Sequence, residues 1–244
     1  MKPKLKGLFV YHGTGESSAQ RALKRGILPR EMSGKKGNWK HTVQSNPSMV
    51  YLTVAYAPYF AVLTTDFSKE RVAIIQIDLD KLDPDKLFYP DEDFIEQALR
   101  GKQLGNTKLD DMHARNKYII QRIEQYRLNW KKSLEGLGTV CYKGVVPQEA
   151  INKIIVIDAE KGRPMLREAL EPTITIANYK FCGEYYRALN NWFFGAEMDP
   201  EQLAFGIIPK EAASQMIPDY QKLIDCARDR LQNHSGIETI FDTE

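Results

Sequence analysis

Five short apolar runs constrain this chain more than any other feature. "KGLFVY" (6–11), "MVYLT", "RVAIIQIDLDKL", "TVCYKGVVP" and "NKIIVID" each read as a short strand bounded by turn residues. After Asp158 the strand pattern stops, which places a boundary near 160. None of the runs approaches the roughly 20 apolar residues that cross a bilayer, so no membrane association is expected.

Helical spacing fills the intervals. "ESSAQRALKRG" carries apolar Ala19, Ala22 and Leu23, with Gly26 as a stop. "AYAPYFAVLTTDF" reads as a helix that tolerates Pro58 only near its start. A long helix is predicted over roughly 108–135, with Tyr118, Ile119, Ile123, Tyr126 and Trp130 on its apolar face. "LDPDKLFYPDEDFIEQALRG" reads as part loop and part helix, and the region beyond 160 as mostly helical. The polar stretch "PREMSGKKGNWKHTVQSNPS" lacks periodicity and reads as a long loop, the kind that is usually functional or disordered.

The chain is 43% hydrophobic and 27% charged, a composition that supports a buried core. Three widely spaced cysteines, with no metal-ligand spacing, point to a reducing compartment. The apolar part of the N-terminus is too brief for a signal peptide, and a cytoplasmic protein is expected. The net charge of +2 conceals an asymmetry: residues 1–60 hold ten Lys or Arg against Glu16 and Glu31. A basic first quarter suits an anionic ligand, such as a phosphate-bearing cofactor or a nucleic acid.

Several motifs carry little chemistry on their own. "PDEDF" is an acidic cluster without a histidine at ligand spacing, so no metal is expected. His41, His113 and His234 are isolated, and "GTGESS" lacks the lysine and spacing of a phosphate loop. Cys141 has no evident histidine partner for thiol catalysis.

The order "YHGT…GILP…VYLT…YFA…GVVPQEAINKI" carries more. It resembles the ADP-ribosyltransferase superfamily, in the His-Tyr branch that includes diphtheria-toxin-like and poly(ADP-ribose)-polymerase-like enzymes, over roughly residues 7–158. The resemblance implies an α+β fold: a split, mixed or antiparallel sheet forming a catalytic domain over 1–160, with a helical C-terminal region over 161–244. It implies NAD as co-substrate and no metal. His12 would hydrogen-bond the adenosine ribose, the Gly13 backbone would hold the nicotinamide carboxamide, and Thr14 would support the turn or touch a ribose. Tyr51 would stack on the nicotinamide, with Tyr59 toward the other face. An aromatic face suits a flat cationic pyridinium. Arg25, Arg30 or a loop lysine would meet the pyrophosphate.

One position departs from the pattern. Family enzymes commonly place a glutamate before the "P-x-E-A-I" turn, where this chain has Thr139. A threonine can bond a ribose hydroxyl but brings no negative charge, and Glu135 is the alternative carboxylate. The loop residues Lys35, Lys36, Trp39 and Lys40 interleave cations with an aromatic, which suits phosphate contacts and base stacking. RNA or DNA is therefore the favoured acceptor, as in toxin–antitoxin and phage-defence transferases, with a protein acceptor as the alternative. The helical region would buttress the core, cover the acceptor or bind an antitoxin or regulatory protein. Two competing readings stay open: a non-enzymatic module that binds NAD, ADP-ribose or a partner, and an RNA 2′-phosphotransferase.

Overall fold

A computed structural model describes residues 8–34, 45–66, 69–83, 87–99, 103–104, 107–108, 112–158, 179–206, 208–232 and 236–243. The expected acceptor residues Lys35, Lys36, Trp39 and Lys40 lie outside these segments, as do His41 and His234.

The fold is mixed α and β. The strands are β1 (Phe9–Gly15), β2 (Met49–Thr53), β3 (Val72–Asp78), β4 (Phe88–Pro90), β5 (Gln103–Leu104), β6 (Thr107–Lys108), β7 (Thr139–Lys143), β8 (Ile151–Ile157) and β9 (Ile237–Asp242). The helices are α1 (Glu16–Arg25), α2 (Arg30–Ser33), α3 (Ala57–Thr64), α4 (Glu92–Leu99), α5 (Met112–Tyr126), α6 (Trp130–Leu137), α7 (Tyr179–Phe193), α8 (Pro200–Phe205), α9 (Lys210–Met216) and α10 (Tyr220–Gln232). Among the described residues, seven strands hydrogen-bond in the order β4-β7-β2-β1-β3-β8-β9, and β5 and β6 form a separate pair. β2–β7, β4–β7 and β8–β9 are antiparallel. The chain divides into two units, one of residues 1–10, 20–53 and 77–151 and the other of 11–19, 54–76 and 152–244.

Three expectations needed adjustment. β1 does not end before the His-Gly-Thr motif but runs through it to Gly15. The long helix is two helices, α5 and α6, separated by a 3-10 turn at Arg127–Asn129. The strand pattern does not stop at Asp158, because β9 adds a strand beside β8 in the otherwise mostly helical C-terminal region.

In the first unit β7 is the middle strand of a three-stranded run. Tyr51 pairs with Cys141 and Thr53 with Thr139 on β2–β7, while Tyr89 of β4 pairs with Cys141 from the other side. Alternation along strands therefore puts Tyr51, Thr53, Thr139 and Cys141 on one face. Met49, Tyr89, Ile95, Leu99, Ile119, Ile123 and Cys141 form a buried cluster that joins that face to α4 and α5. α6 ends at Gly138, which adopts a left-handed φ of 73° and donates its N–H to the Leu134 carbonyl at 3.1 Å. That stop turns the chain directly into β7.

In the second unit Gly13 is set by packing. A Cβ there would collide with the Ala57 carbonyl oxygen and lie 2.5 Å from the Ala61 amide nitrogen, so only glycine lets α3 approach this closely. Glu70 accepts from the Ser17 amide at 2.7 Å and so satisfies a donor in the first turn of α1. Arg71 bridges Glu16 and Glu238. Near the C-terminus, Phe205 stacks on Tyr220 at 4.8 Å beside Ala213 and Ile224.

Candidate functional site

The densest polar chemistry among the described residues of the first unit forms around Tyr51. β4 ends at Pro90, and Asp91 and Glu92 follow at the start of α4. Asp91 caps that helix: its Oδ1 accepts from the Asp93 amide at 3.0 Å, and its carbonyl accepts from Phe94 and Ile95. Its own amide donates to Ser133 Oγ at 3.0 Å, and Ser133 donates onward to the Thr139 carbonyl at 2.9 Å. α4, α6 and β7 are thereby tied together at one point.

Glu92 begins α4 and is 3% exposed. Its Oε2 accepts from the Tyr51 hydroxyl at 2.8 Å and, more weakly, from the Cys141 thiol at 3.8 Å. Its Oε1 accepts from the Asn46 amide at 3.0 Å, and that amide is shared with the Tyr51 hydroxyl oxygen at 2.6 Å. The segment before β2 is held at neighbouring atoms as well. Arg30 donates to the Ser45 carbonyl at 2.7 Å, and the Glu31 amide donates to the Pro47 carbonyl at 2.9 Å.

Two buried carboxyl groups stand in adjacent positions, and the charge of Asp91 acts on Glu92. Burial first, and then the charge of Asp91, push Glu92 up to about 7 against the hydrogen bonds from Tyr51 and the backbone that favour its charged form. Burial also raises Asp91. Tyr51 and Cys141 are both held well above their ordinary values, first by burial and then by the charge of Glu92. At neutral pH the tyrosine and the thiol are therefore donors, and the titrating group is Glu92. The Asp93 amide, in the first turn of the helix, favours the charged form of Asp91.

The residues expected from the sequence are distributed as follows. Tyr51 is half-buried on β2, with its hydroxyl turned to Glu92. Thr139 is on the same face of β7, 3% exposed, with a buried hydroxyl that makes no hydrogen bond. That hydroxyl sits beside the Asp91 carboxyl and favours its charged form without reaching hydrogen-bond geometry. Glu135 is exposed on α6, two residues from the buried Ser133 and so on the far side of the helix, and the structure does not bring it to Tyr51. Arg30 is engaged with the Ser45 carbonyl.

His12, Gly13, Thr14 and Tyr59 belong to the second unit. His12 is half-buried within β1, Thr14 is buried, and Tyr59 is half-buried with its ring edge-on to Phe60 at 5.4 Å.

Asp91 and Glu92 were not among the expected site residues. Their signal was present: Glu92, Ile95, Glu96 and Leu99 recur at helical spacing and are all buried, so two glutamates share the apolar face of α4. Arg115 neutralises the second, at 2.7 Å from Glu96. Among the described residues no group of three or more His, Cys, Asp or Glu is placed to hold a metal ion, and no helix is long and apolar enough to cross a membrane. No protein-family model matches the chain, and neither does any curated protein.

Proposed function

We propose that the protein is an NAD-dependent mono-ADP-ribosyltransferase, with NAD as co-substrate and a macromolecular acceptor, nucleic acid before protein. One observation carries the reading: the tyrosine that the motif order assigns to the nicotinamide ring is half-buried with its hydroxyl donated to the buried Glu92, beside Asp91, and with Thr139 on the adjoining strand. NAD supplies an ADP-ribosyl group on a cationic leaving group, and an aromatic face backed by negative charge suits that cation.

Cleavage of the glycosidic bond sends its electron pair to the departing nicotinamide, which leaves neutral, while the acceptor's oxygen or nitrogen bonds the ribose carbon and releases its proton to solvent. Positive charge grows on the ribose as the bond lengthens, and preorganised negative charge nearby stabilises that state more than the ground state. Asp91, which caps α4, is assigned this charge, where Thr139 provides none, and Glu92 holds the tyrosine. Tyr51 orients the ring. His12 and the Gly13 backbone, on β1, are assigned to the adenosine ribose and the carboxamide. Lys35, Lys36, Trp39 and Lys40 are assigned to the acceptor.

A second reading is a binding module for NAD, ADP-ribose or a protein partner such as an antitoxin. The observation in its favour is Thr139, whose hydroxyl replaces the expected carboxylate and is buried. Incubation with NAD labelled in the adenylate, together with total RNA, single-stranded DNA and cell lysate in parallel, separates the two. Label in one fraction supports transfer and names the acceptor class. Binding of NAD without label in any fraction supports the module.

A further inference from the structure

We propose that Glu92 is the positioning residue of this site: one carboxylate holds both the Tyr51 hydroxyl and the Asn46 amide, and so fixes the tyrosine ring together with the turn that leads into β2. The catalytic consequence rests on the function proposed above, but the anchoring itself does not.

The geometry makes the two oxygens distinct. Oε2 faces the phenol and the Cys141 thiol, and Oε1 faces the backbone of Asn46. The Asn46 amide is also within 2.6 Å of the Tyr51 hydroxyl oxygen, so tyrosine, carboxylate and backbone close a three-membered ring of contacts. Asn46 in turn organises the turn before β2, its Oδ1 accepting from the Ser48 amide and hydroxyl at 3.0 and 2.8 Å. A tyrosine needed only for stacking would tolerate loss of its hydroxyl. Here the hydroxyl is the handle by which the ring is held, and a buried handle of this kind is costly to leave unpaired.

The anchor is also sensitive to protonation. Tyr51 and Cys141 face Glu92 from β2 and β7, and Asp91 at the helix cap and Asp93 on α4 flank it in the chain. One turn on, Glu96 is paired with Arg115 of α5. Tyr89 of β4 is bonded to Glu124 of α5 at 2.8 Å, and Glu124 also binds Lys143. No described cation bonds Glu92, so its protonation near neutral pH decides whether it accepts from Tyr51 as a carboxylate.

The test uses Glu92→Gln, Tyr51→Phe and the double variant in the full chain. Nicotinamide release should fall about tenfold in kcat for each single variant, the loss of one charge-assisted hydrogen bond, with KM for NAD changed less than about twofold. The double variant should be no slower than the slower single one. Wild-type kcat should rise with pH through neutrality, and this rise should vanish in Glu92→Gln. Additive losses, or a pH rise that survives in Glu92→Gln, would overturn the proposal.

A ligand-free readout separates this result from the fate of the functional reading. With 3-fluorotyrosine at position 51, the fluorine resonance should titrate near neutral pH in the wild type and be flat in Glu92→Gln. A resonance that still titrates in Glu92→Gln removes Glu92 as the anchor, whatever the enzyme does. The expected resonance behaviour in a protein that never releases nicotinamide supports the anchor and removes the transferase.

Discussion

Glu92→Gln should flatten the pH dependence of stability in a direction that the structure specifies. In the folded state Glu92 is raised from 4.5 to about 7 by burial and by Asp91. A group whose folded value is raised binds its proton more tightly in the native state. Its stabilising contribution is complete below the ordinary carboxylate range and is lost as pH rises through about 7. At about 1.36 kcal/mol per unit of displacement, that loss amounts to about 3 kcal/mol. Asp91 is displaced in the same direction and adds to the trend. Glutamine stays neutral throughout, so the variant lacks the Glu92 contribution to this loss. Urea unfolding followed by far-UV circular dichroism, from about pH 5 to about pH 8, gives the free energies of both proteins. The wild type should lose about 3 kcal/mol more than Glu92→Gln across that range. A difference between the two proteins that does not move with pH would refute the assignment of a raised, buried Glu92.

Gly13→Ala should destabilise the protein by about 3 kcal/mol, read as a lowered urea midpoint, because the new methyl meets the α3 backbone and not a flexible side chain. Arg115→Met should cost about 3 kcal/mol by leaving Glu96 buried without its ion pair, and Glu96→Gln in the same background should recover part of it. Neutralising Lys35, Lys36 and Lys40 to glutamine should weaken transfer of label to the acceptor while leaving nicotinamide release in place. Equal loss of both activities would assign these lysines to NAD instead.

The parts of the fold that were legible in the sequence are those whose pattern is local. β2 coincides with "MVYLT", and α1 stops at Gly26, whose φ of 76° suits glycine. β9 was missed because it is largely exposed, so "IETIFD" shows no buried face; its pairing with β8, some 80 residues earlier, is what makes it a strand. β4 is three residues long and ends in Pro90, too short for a period. The break between α5 and α6 was hidden because Tyr126 and Trp130 keep a helical spacing across it, while Leu128 within the break is 81% exposed.

The candidate site divides in the same way. Tyr51 and Thr139 were identifiable as residues on strands, and their placement on one face follows from the register of β2 and β7. Glu92 was not identifiable from its neighbours, because its chemistry comes from a tyrosine 41 residues away. In "PDEDF" the first acid caps a helix and the second accepts from a phenol. The sequence expects Gly13 to be a glycine for the sake of a ligand; the structure adds a packing reason, since the space of its absent Cβ is filled by α3.

The most direct test of the account is single-turnover release of nicotinamide from NAD by the wild-type protein and by Tyr51→Ala, with folding of both verified by circular dichroism. The account predicts release by the wild type and a rate at least about a hundredfold lower in the variant, equivalent to about 2.7 kcal/mol of lost transition-state stabilisation. Equal release by a folded Tyr51→Ala protein, or none by the wild type, would contradict it.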